Sequence, residues 1–179
     1  MIIIYKIWTK CKMLRTVTST IPKNIVQIYD PGPTDSEQTH FLVKDLSRGA
    51  QLAVWSIRKW VLQRRRQASD ATLIKTYELA GIASAAESLD EFMTLLSTIA
   101  MRPVTIECSC SKTLTGDELL ILRTLRSLQA GQHEAARLSI ARLVNGHLGN
   151  VFCRSAEIYT KKLSRANLSL NHITKLSVA

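Results

Sequence analysis

Apolar side chains recur at every third or fourth position through most of the chain, which is the period of an α-helix. The longest such run lies between Phe41 and Arg66. At about 100° per residue, most of its apolar side chains fall on roughly one third of the helix circumference; they are Leu42, Val43, Leu46, Ala50, Ala53, Val54, Ile57, Trp60 and Val61. A narrower face carries Leu52, Trp55 and Leu62. We therefore predict that residues 41–66 form the central and most contacted helix.

A short second helix is predicted directly after this run. Ser69 or Asp70 can supply its N-cap, because short polar side chains accept hydrogen bonds from the free amides of a first turn. The helix runs to Leu79, and Gly81 stands where helices commonly end in a left-handed residue. Both ends of the segment thus carry residues suited to a helix boundary.

Two capping boxes predict the starts of the next two long helices. In each, a hydroxyl residue stands three positions before a glutamate, so that the two side chains satisfy each other's free backbone amides. Ser88 and Glu91 open the first helix, which Pro103 brings to an end. Thr115 and Glu118 open the second, which is rich in leucine and therefore packs on more than one side.

Two further helices complete the pattern. One extends from Gln132 to Val144 and is closed by Asn145-Gly146. The last has apolar residues spaced by four, three, four and three, namely Phe152, Ala156, Tyr159, Leu163 and Ala166. Residues 104–107 favour an extended connector or a lone strand, because no second strand is evident to pair with them. The sequence therefore predicts an all-α, single-domain bundle of about six helices.

The two ends of the chain lack this periodicity. Residues 1–35 finish in Asp30-Pro31-Gly32-Pro33, where two prolines and a glycine oppose regular structure. We predict a flexible basic arm at residues 1–35, a helical bundle domain at 36–166 and a C-terminal tail at 167–179. Met13 is an alternative start of translation to Met1, and the sequence does not decide between them.

The charge of the chain is concentrated toward its N-terminus. Lys and Arg number 24 against 14 Asp and Glu, which indicates an anionic partner or surface. Residues 1–66 hold 12 basic and 4 acidic side chains, whereas residues 67–179 hold 12 and 10. The apolar start is interrupted by Lys6 and Lys10, well before the roughly 20 residues that span a bilayer. No transmembrane segment is predicted, and the expected location is cytoplasmic.

The chain contains four cysteines, Cys11, Cys108, Cys110 and Cys153. A chain of this length with a helical core does not need disulfides, so reduced thiols are expected. Cys108 and Cys110 would point to opposite faces of an extended segment unless the chain turns, which suits chelation poorly. Three interpretations stay open: structural thiols, a redox-active pair, or a metal site completed by Cys153, His133 or His147.

The polar residues show no recognisable catalytic order. The four histidines lack the i, i+4 pairing of a metalloprotease helix; they are His40, His133, His147 and His172. Asp90-Glu91 and Asp117-Glu118 lie in first helical turns, where the helix dipole favours carboxylates. We therefore predict a protein that is not an enzyme and has no cofactor. A deep pocket with a His or Cys beside a carboxylate would favour an enzyme instead.

The most promising binding residues lie in the C-terminal half of the first long helix. They are Trp55, Arg58, Lys59, Leu62, Arg64, Arg65 and Arg66. The set could bind phosphates and bases, lie at a lipid or acidic protein surface, or be a solvated last turn whose cations complement the helix dipole. Because the basic side chains spread around most of the helix, they do not form the single stripe that follows a nucleic-acid backbone.

Residues 73–92 could also form a helix-turn-helix, with Gly81 in the turn. Tyr77 is too bulky for the close crossing of such a pair, and Glu87 stands where the second helix normally offers an aliphatic side chain. This pattern therefore gives little support to DNA binding.

One resemblance can be named from the motifs of residues 45–145. Ile57-Arg58-Lys59-Trp60-Val61 before a basic run, Arg102-Pro103, Cys108 with Cys110, and Asp117-Glu118 opening a leucine-rich helix resemble a group of short, uncharacterised, all-helical alphaproteobacterial proteins. The resemblance implies a bacterial cytoplasmic protein and brings no activity with it.

The function predicted from the sequence is that of a small binding or adaptor protein acting through protein contacts. Nucleic-acid binding by helix 55–66 is the first alternative, and a metal or redox role for Cys108 and Cys110 is the second. The oligomeric state stays open.

Overall fold

The computed structural model describes residues 41–66 and 71–170. A 3-10 turn at Val43–Asp45 precedes six helices: α1 (Arg48–Arg66), α2 (Thr72–Leu79), α3 (Ala85–Ile99), α4 (Gly116–Gln129), α5 (His133–Ile140) and α6 (Gly146–Arg165). The described residues contain no strand, only two isolated bridges. The predicted all-α bundle is confirmed. The predicted arm, the Ser69 or Asp70 cap, Cys11, His40 and His172 lie outside the described residues.

Helices α4 and α6 have the most extensive packing: α6 lies against α3, α4 and α5, and α4 lies against α1 as well as α5 and α6. Helix α6 runs antiparallel to α3: Lys162 reaches Ser88 near the start of α3, and Ala100 at its end pairs with Val144. The prediction that the first long helix is the most contacted element is therefore wrong. That helix, α1, buries one broad face at the side of the bundle, and it packs over smaller areas on α2, α3 and α4.

Aromatic side chains fill the space between α3 and α6. The ring of Phe92 lies 6.0 Å from that of Phe152 and 5.3 Å from that of Tyr159. The hydroxyl groups of Tyr77 and Tyr159 are 2.8 Å apart and share a hydrogen bond in the core. Burial raises the pKa of Tyr77 to about 12, and this contact offsets part of the rise. These helices are thus held by specific ring contacts as well as aliphatic packing.

The first long helix begins later than the periodicity predicts. Residues 41–47 are not α-helical, and the Ser47 hydroxyl accepts a hydrogen bond from the Ala50 amide in the first turn of α1. The backbone before α1 bonds to a distant segment instead of continuing the helix, since the Val43 amide donates to the carbonyl of Lys112. Leu46 is nevertheless buried, so it belongs to the core although it is not part of the helix.

Three other predicted boundaries are wrong. Helix α3 begins at Ala85, so Ser88 lies inside it and accepts a hydrogen bond from Lys162 in place of capping. Helix α5 ends at Ile140, four residues before Val144. Asn145 precedes the first residue of α6 and does not close α5. After α5, the Leu143 carbonyl accepts a hydrogen bond from the Met101 amide, a tertiary contact that the local sequence does not predict.

Other boundary predictions are confirmed. Gly81 has a φ of 73°, as predicted for a left-handed residue after α2, and Gly131 takes the same conformation after α4. The capping box of Thr115 and Glu118 is formed in both directions. Residues 104–107 form a connector without regular secondary structure, with Val104 and Ile106 buried.

The packed domain reaches four residues beyond its predicted end at 166. Leu170 is buried, and its amide donates to the Gln129 side chain, which in turn donates to the carbonyl of Leu168. The Ser47 hydroxyl donates to the carbonyl of Ser169. The start of the predicted tail is therefore fastened across α1 and α4. Within the described residues, no helix is both long and apolar enough to cross a membrane.

Candidate protein-interaction surface

The predicted binding residues of α1 do not lie on one surface. Trp55, Lys59, Leu62 and Arg65 are half-buried, Arg64 and Arg66 are exposed, and Arg58 is buried. The Lys59 ammonium lies 6.0 Å from the centre of the Trp55 ring. Burial lowers the pKa of Arg65. The cluster is thus divided among a packed face, an exposed last turn and the interior of the domain.

Arg58 is the clearest departure from the sequence prediction, which placed it among the binding residues. Its guanidinium donates to both carboxylate oxygens of Glu118, at 2.7 and 2.8 Å, and to the carbonyls of Ser111 and Thr113. Both charged side chains are 2% exposed. Arg58 is therefore a structural residue that cannot reach an external ligand, because all its hydrogen bonds are made inside the protein.

A second ion pair lies beside it at the start of α4. Arg102 donates to both carboxylate oxygens of Asp117, and the Thr105 amide donates to the same carboxylate. Burial alone would raise the pKa of Asp117, but these hydrogen bonds outweigh it and hold the pKa below its ordinary value. The two acids that the sequence assigned to the helix dipole therefore also fasten the connector before α4.

Arg64 is engaged at the surface rather than free for phosphate. Its guanidinium donates to Asp90 at 2.6 Å and lies 5.1 Å from the centre of the Trp60 ring. The indole of Trp60 donates to the same Asp90 oxygen. Arg64 is about half exposed, so this ion pair contributes little to stability, but it reduces the positive charge available at the end of α1.

Cys108 and Cys110 are joined by a disulfide in the structure. The chain turns between them, and the Ser111 amide donates to the Cys108 carbonyl. The expectation of reduced thiols is therefore wrong for this pair, because the turn brings together side chains that an extended segment would separate. Cys110 is exposed and Cys108 is half-buried. While bonded, neither sulfur is a thiolate that could bind a metal.

A cleft of about 230 Å³ between α5 and α6 holds the histidine, cysteine and carboxylates whose meeting would favour an enzyme. It is lined by His133, Glu134, Arg137, Asn150, Cys153, Arg154 and Glu157. It is open rather than deep, and its carboxylates are engaged, Glu134 with Arg137 and Glu157 with Lys161. Among the described residues, no group of three or more His, Cys, Asp or Glu is placed to hold a metal ion.

The electrostatics of this cleft oppose nucleophilic chemistry. Burial is the main cause that raises the pKa of Cys153, Arg137 opposes the rise, and Glu157 adds to it. A catalytic cysteine needs the opposite shift, since the thiolate is the nucleophile. The cleft therefore brings the right residue types together without activating the cysteine.

An exposed apolar strip follows the seam between α3 and α6. Leu148, Val151 and Ile158 of α6 are 41%, 50% and 48% exposed. At about 100° per residue they fall within roughly 80° of one another. Lys162 lies on the same face and binds Ser88 of α3, so this face borders α3.

The α3 side of the seam contributes two further apolar residues. Leu95 and Ile99 share a face of α3 with Ser88 and are half-buried beside the core. Together with Leu148, Val151 and Ile158 they form a surface that we call the apolar strip. Clustered exposed apolar side chains of this kind mark interaction sites more often than isolated ones do.

Charges of opposite sign border the two edges of the apolar strip. The α6 edge carries Arg154 and Lys161, and the α3 edge carries Glu87 and Glu91, all of them exposed. Neither glutamate forms an ion pair with another side chain of the described residues. Sequence reasoning missed this surface because it lies on two helices far apart in sequence; the apolar spacing of 148, 151 and 158 was the available signal.

Helices α2 and α3 are joined by a turn, as in a helix-turn-helix, but the charges on α3 do not suit DNA binding. Tyr77 is fully buried, and its hydroxyl contacts Tyr159 of α6. The exposed face of α3 carries Glu87, Asp90 and Glu91, and α3 contains no lysine or arginine. A helix that enters the major groove needs donors and cations, so an acidic helix would be repelled by phosphates.

Comparison of the chain with protein-family models, curated proteins and solved structures gives no match. The resemblance to short alphaproteobacterial proteins stays a prediction. Any functional conclusion must therefore come from the geometry and chemistry of the chain itself.

Proposed function

We propose that this chain is a small, non-enzymatic helical binding protein that acts through contacts with a protein surface. The observation that supports the proposal best is the apolar strip along the α3–α6 seam. Three large apolar side chains, Leu148, Val151 and Ile158, are about half exposed there, although the domain has a well-filled core. Exposing them costs free energy that an interface would recover.

The apolar strip supports this function better than the α1 residues predicted from sequence. Trp55 and Leu62 are half-buried, and Arg58 is withdrawn into the interior. Nucleic-acid binding would need a continuous row of available cations. Arg58 pairs with Glu118 and Arg64 pairs with Asp90, so the available cations of α1 do not form a continuous row.

A pull-down with two variants separates protein binding from nucleic-acid binding. The bait is wild-type protein, a Val151→Ser/Ile158→Ser variant of the apolar strip, or an Arg64→Ser/Arg65→Ser/Arg66→Ser variant. We expect wild-type bait to retain a bound protein after nuclease treatment, and the strip variant to lose it. Binding should then be reproduced with purified bait and purified partner alone. Nuclease-sensitive recovery of nucleic acid that depends on the three arginines would contradict the proposal.

A second candidate function rests on the Cys108–Cys110 disulfide. Cys110 is exposed, so an external thiolate can attack its sulfur, form a mixed disulfide and release Cys108 as a thiolate. A second thiolate from the same substrate then displaces Cys110, which leaves an oxidised substrate and a reduced chain. The substrate class is a protein dithiol, which supplies both electrons.

Alkylation of thiols in defined glutathione buffers tests this candidate. We expect reversible reduction of the Cys108–Cys110 pair and a mixed disulfide that is trapped on Cys110 in a Cys108→Ser variant. Cys153 is the internal control, since burial raises its pKa and slows its reaction. A disulfide that resists reduction in folded protein would restrict the pair to a structural role.

A further inference from the structure

The charges that border the apolar strip make this surface complementary to itself in one orientation. One edge is positive through Arg154 and through Lys161, which also pairs with Glu157 of its own helix, and the other is negative through Glu87 and Glu91. A twofold axis parallel to the helices lays the positive edge of one copy on the negative edge of the other. A twofold axis across the helices would place like charges together instead.

The positions of these charges along the helices also correspond. Because α3 and α6 are antiparallel, their contacts give the residues that lie at equal height: Phe92 packs on Phe152 and Tyr159, and Ala100 pairs with Val144. Counting from these contacts, Arg154 lies close to the height of Glu91. In the same way, Lys161 lies close to the height of Glu87. Rotation about an axis parallel to the helices keeps each height unchanged.

We propose that the apolar strip binds the same strip of a second copy of this chain, in a parallel, twofold-symmetric dimer. This inference rests on the proposed function and names its partner. Arg154 meets Glu91 of the partner subunit, and Lys161 meets Glu87 of the partner subunit. Between these charges, Val151 lies opposite Leu95 of the partner subunit, so an apolar centre is bordered by polar edges on both sides.

Charge reversal tests the orientation as well as the contact. Sedimentation velocity is measured over a concentration series for the full chain, for Val151→Asp, for Arg154→Glu, for Glu91→Arg, and for the Arg154→Glu/Glu91→Arg double variant. Arg123→Glu, an exposed position of α4, makes the same change of charge away from the strip. Circular dichroism verifies that each variant is folded.

We expect wild type and Arg123→Glu to form dimers with similar dissociation constants. Each single reversal weakens the dimer about tenfold or more, because two symmetric contacts become repulsive, and the double variant recovers most of that loss. Val151→Asp weakens it further, since a charge enters the apolar centre.

Two results would overturn the inference. One is a wild-type chain that stays monomeric through the series, and the other is a double variant as weak as the sum of its single reversals. The proposed function has a separate readout. If the chain is monomeric but still binds another protein through Val151 and Ile158, the dimer inference fails and the proposed function stands.

Discussion

Glu118 has two roles at the start of α4, because it completes the capping box with Thr115 and also neutralises the buried Arg58. The three-residue spacing of Thr115 and Glu118 correctly predicted a capping box, because capping is local. The pairing of Glu118 with Arg58 joins residues 60 positions apart, and the periodicity of the sequence cannot predict it. Arg58 was consequently predicted to be a surface residue, although its charge is neutralised inside the domain.

Removing one member of this buried pair should be costly. We expect Glu118→Ala to lower the free energy of unfolding by about 3–5 kcal/mol, because Arg58 would stay buried without its carboxylate. Replacing both residues, as Arg58→Met/Glu118→Leu, should cost less than Glu118→Ala alone. Urea unfolding of the two variants and wild type measures the difference. A double variant less stable than the single would show that the charges themselves are required.

The hydrogen-bonded tyrosines predict a loss of stability in alkali. A folded pKa of about 12 for Tyr77 lies above its ordinary value of 10.0, so its contribution is complete below pH 10 and is lost as pH rises toward 12. The pKa of Tyr159 is also raised, mainly by burial. Each group can change the free energy of unfolding by up to about 1.4 kcal/mol per pH unit in this range.

The Tyr77→Phe/Tyr159→Phe variant should flatten this dependence. Both partners of one hydrogen bond are removed together, so neither hydroxyl is left buried alone and stability at neutral pH should change little. Urea unfolding between pH 8 and pH 12 provides the comparison. If wild type and the double variant lose stability with equal slopes, other groups are responsible for the alkaline transition.

At the scale of elements, helix identity was easier to predict than helix boundaries. Six helices are predicted and the described residues contain six, because the apolar periodicity of a helix does not depend on which neighbours it packs against. Boundaries moved where a distant segment competed for the backbone. Residues 41–47 bind residues 112–114, and Ser88 became an acceptor for Lys162. The packing of residues 168–170 on α1 had no sequence signal, since that stretch is weakly periodic.

A glycine in α1 makes the packing of that C-terminal stretch testable. A Cβ atom at Gly49 would lie 2.6 Å from the Ser169 carbonyl oxygen, so Gly49→Ala should displace residues 168–170 and cost about 1–3 kcal/mol. Gly116→Ala is the matched control, because nothing lies within 4 Å of a Cβ there. Thermal unfolding, with proteolysis after Leu168 as a local readout, compares the two. Equal stabilities would mean that this segment is not held against α1.

At the scale of the whole molecule, the sequence and the structure favour different surfaces for a protein partner: the sequence predicts α1, whereas we propose the apolar strip. The sequence predicts binding residues on α1 because tryptophan and arginine are concentrated there. The apolar strip instead combines Leu95 and Ile99 with residues about 50 positions later, and only the antiparallel packing of α3 on α6 brings them together. The opposite charges at its edges, on Glu91 and Arg154, give that surface a preferred orientation.

The most direct test is site-specific photo-crosslinking in cells, with the crosslinking amino acid in place of Val151 and, as a control, in place of the exposed Lys75 of α2. We predict a crosslinked product from position 151 at twice the mass of the chain, absent from position 75 and lost when Ile158→Asp is added. Position 151 contacts Leu95 of the partner subunit in the proposed dimer. A position 151 that yields no protein adduct, while the strip stays exposed to small-molecule labels, would contradict the account.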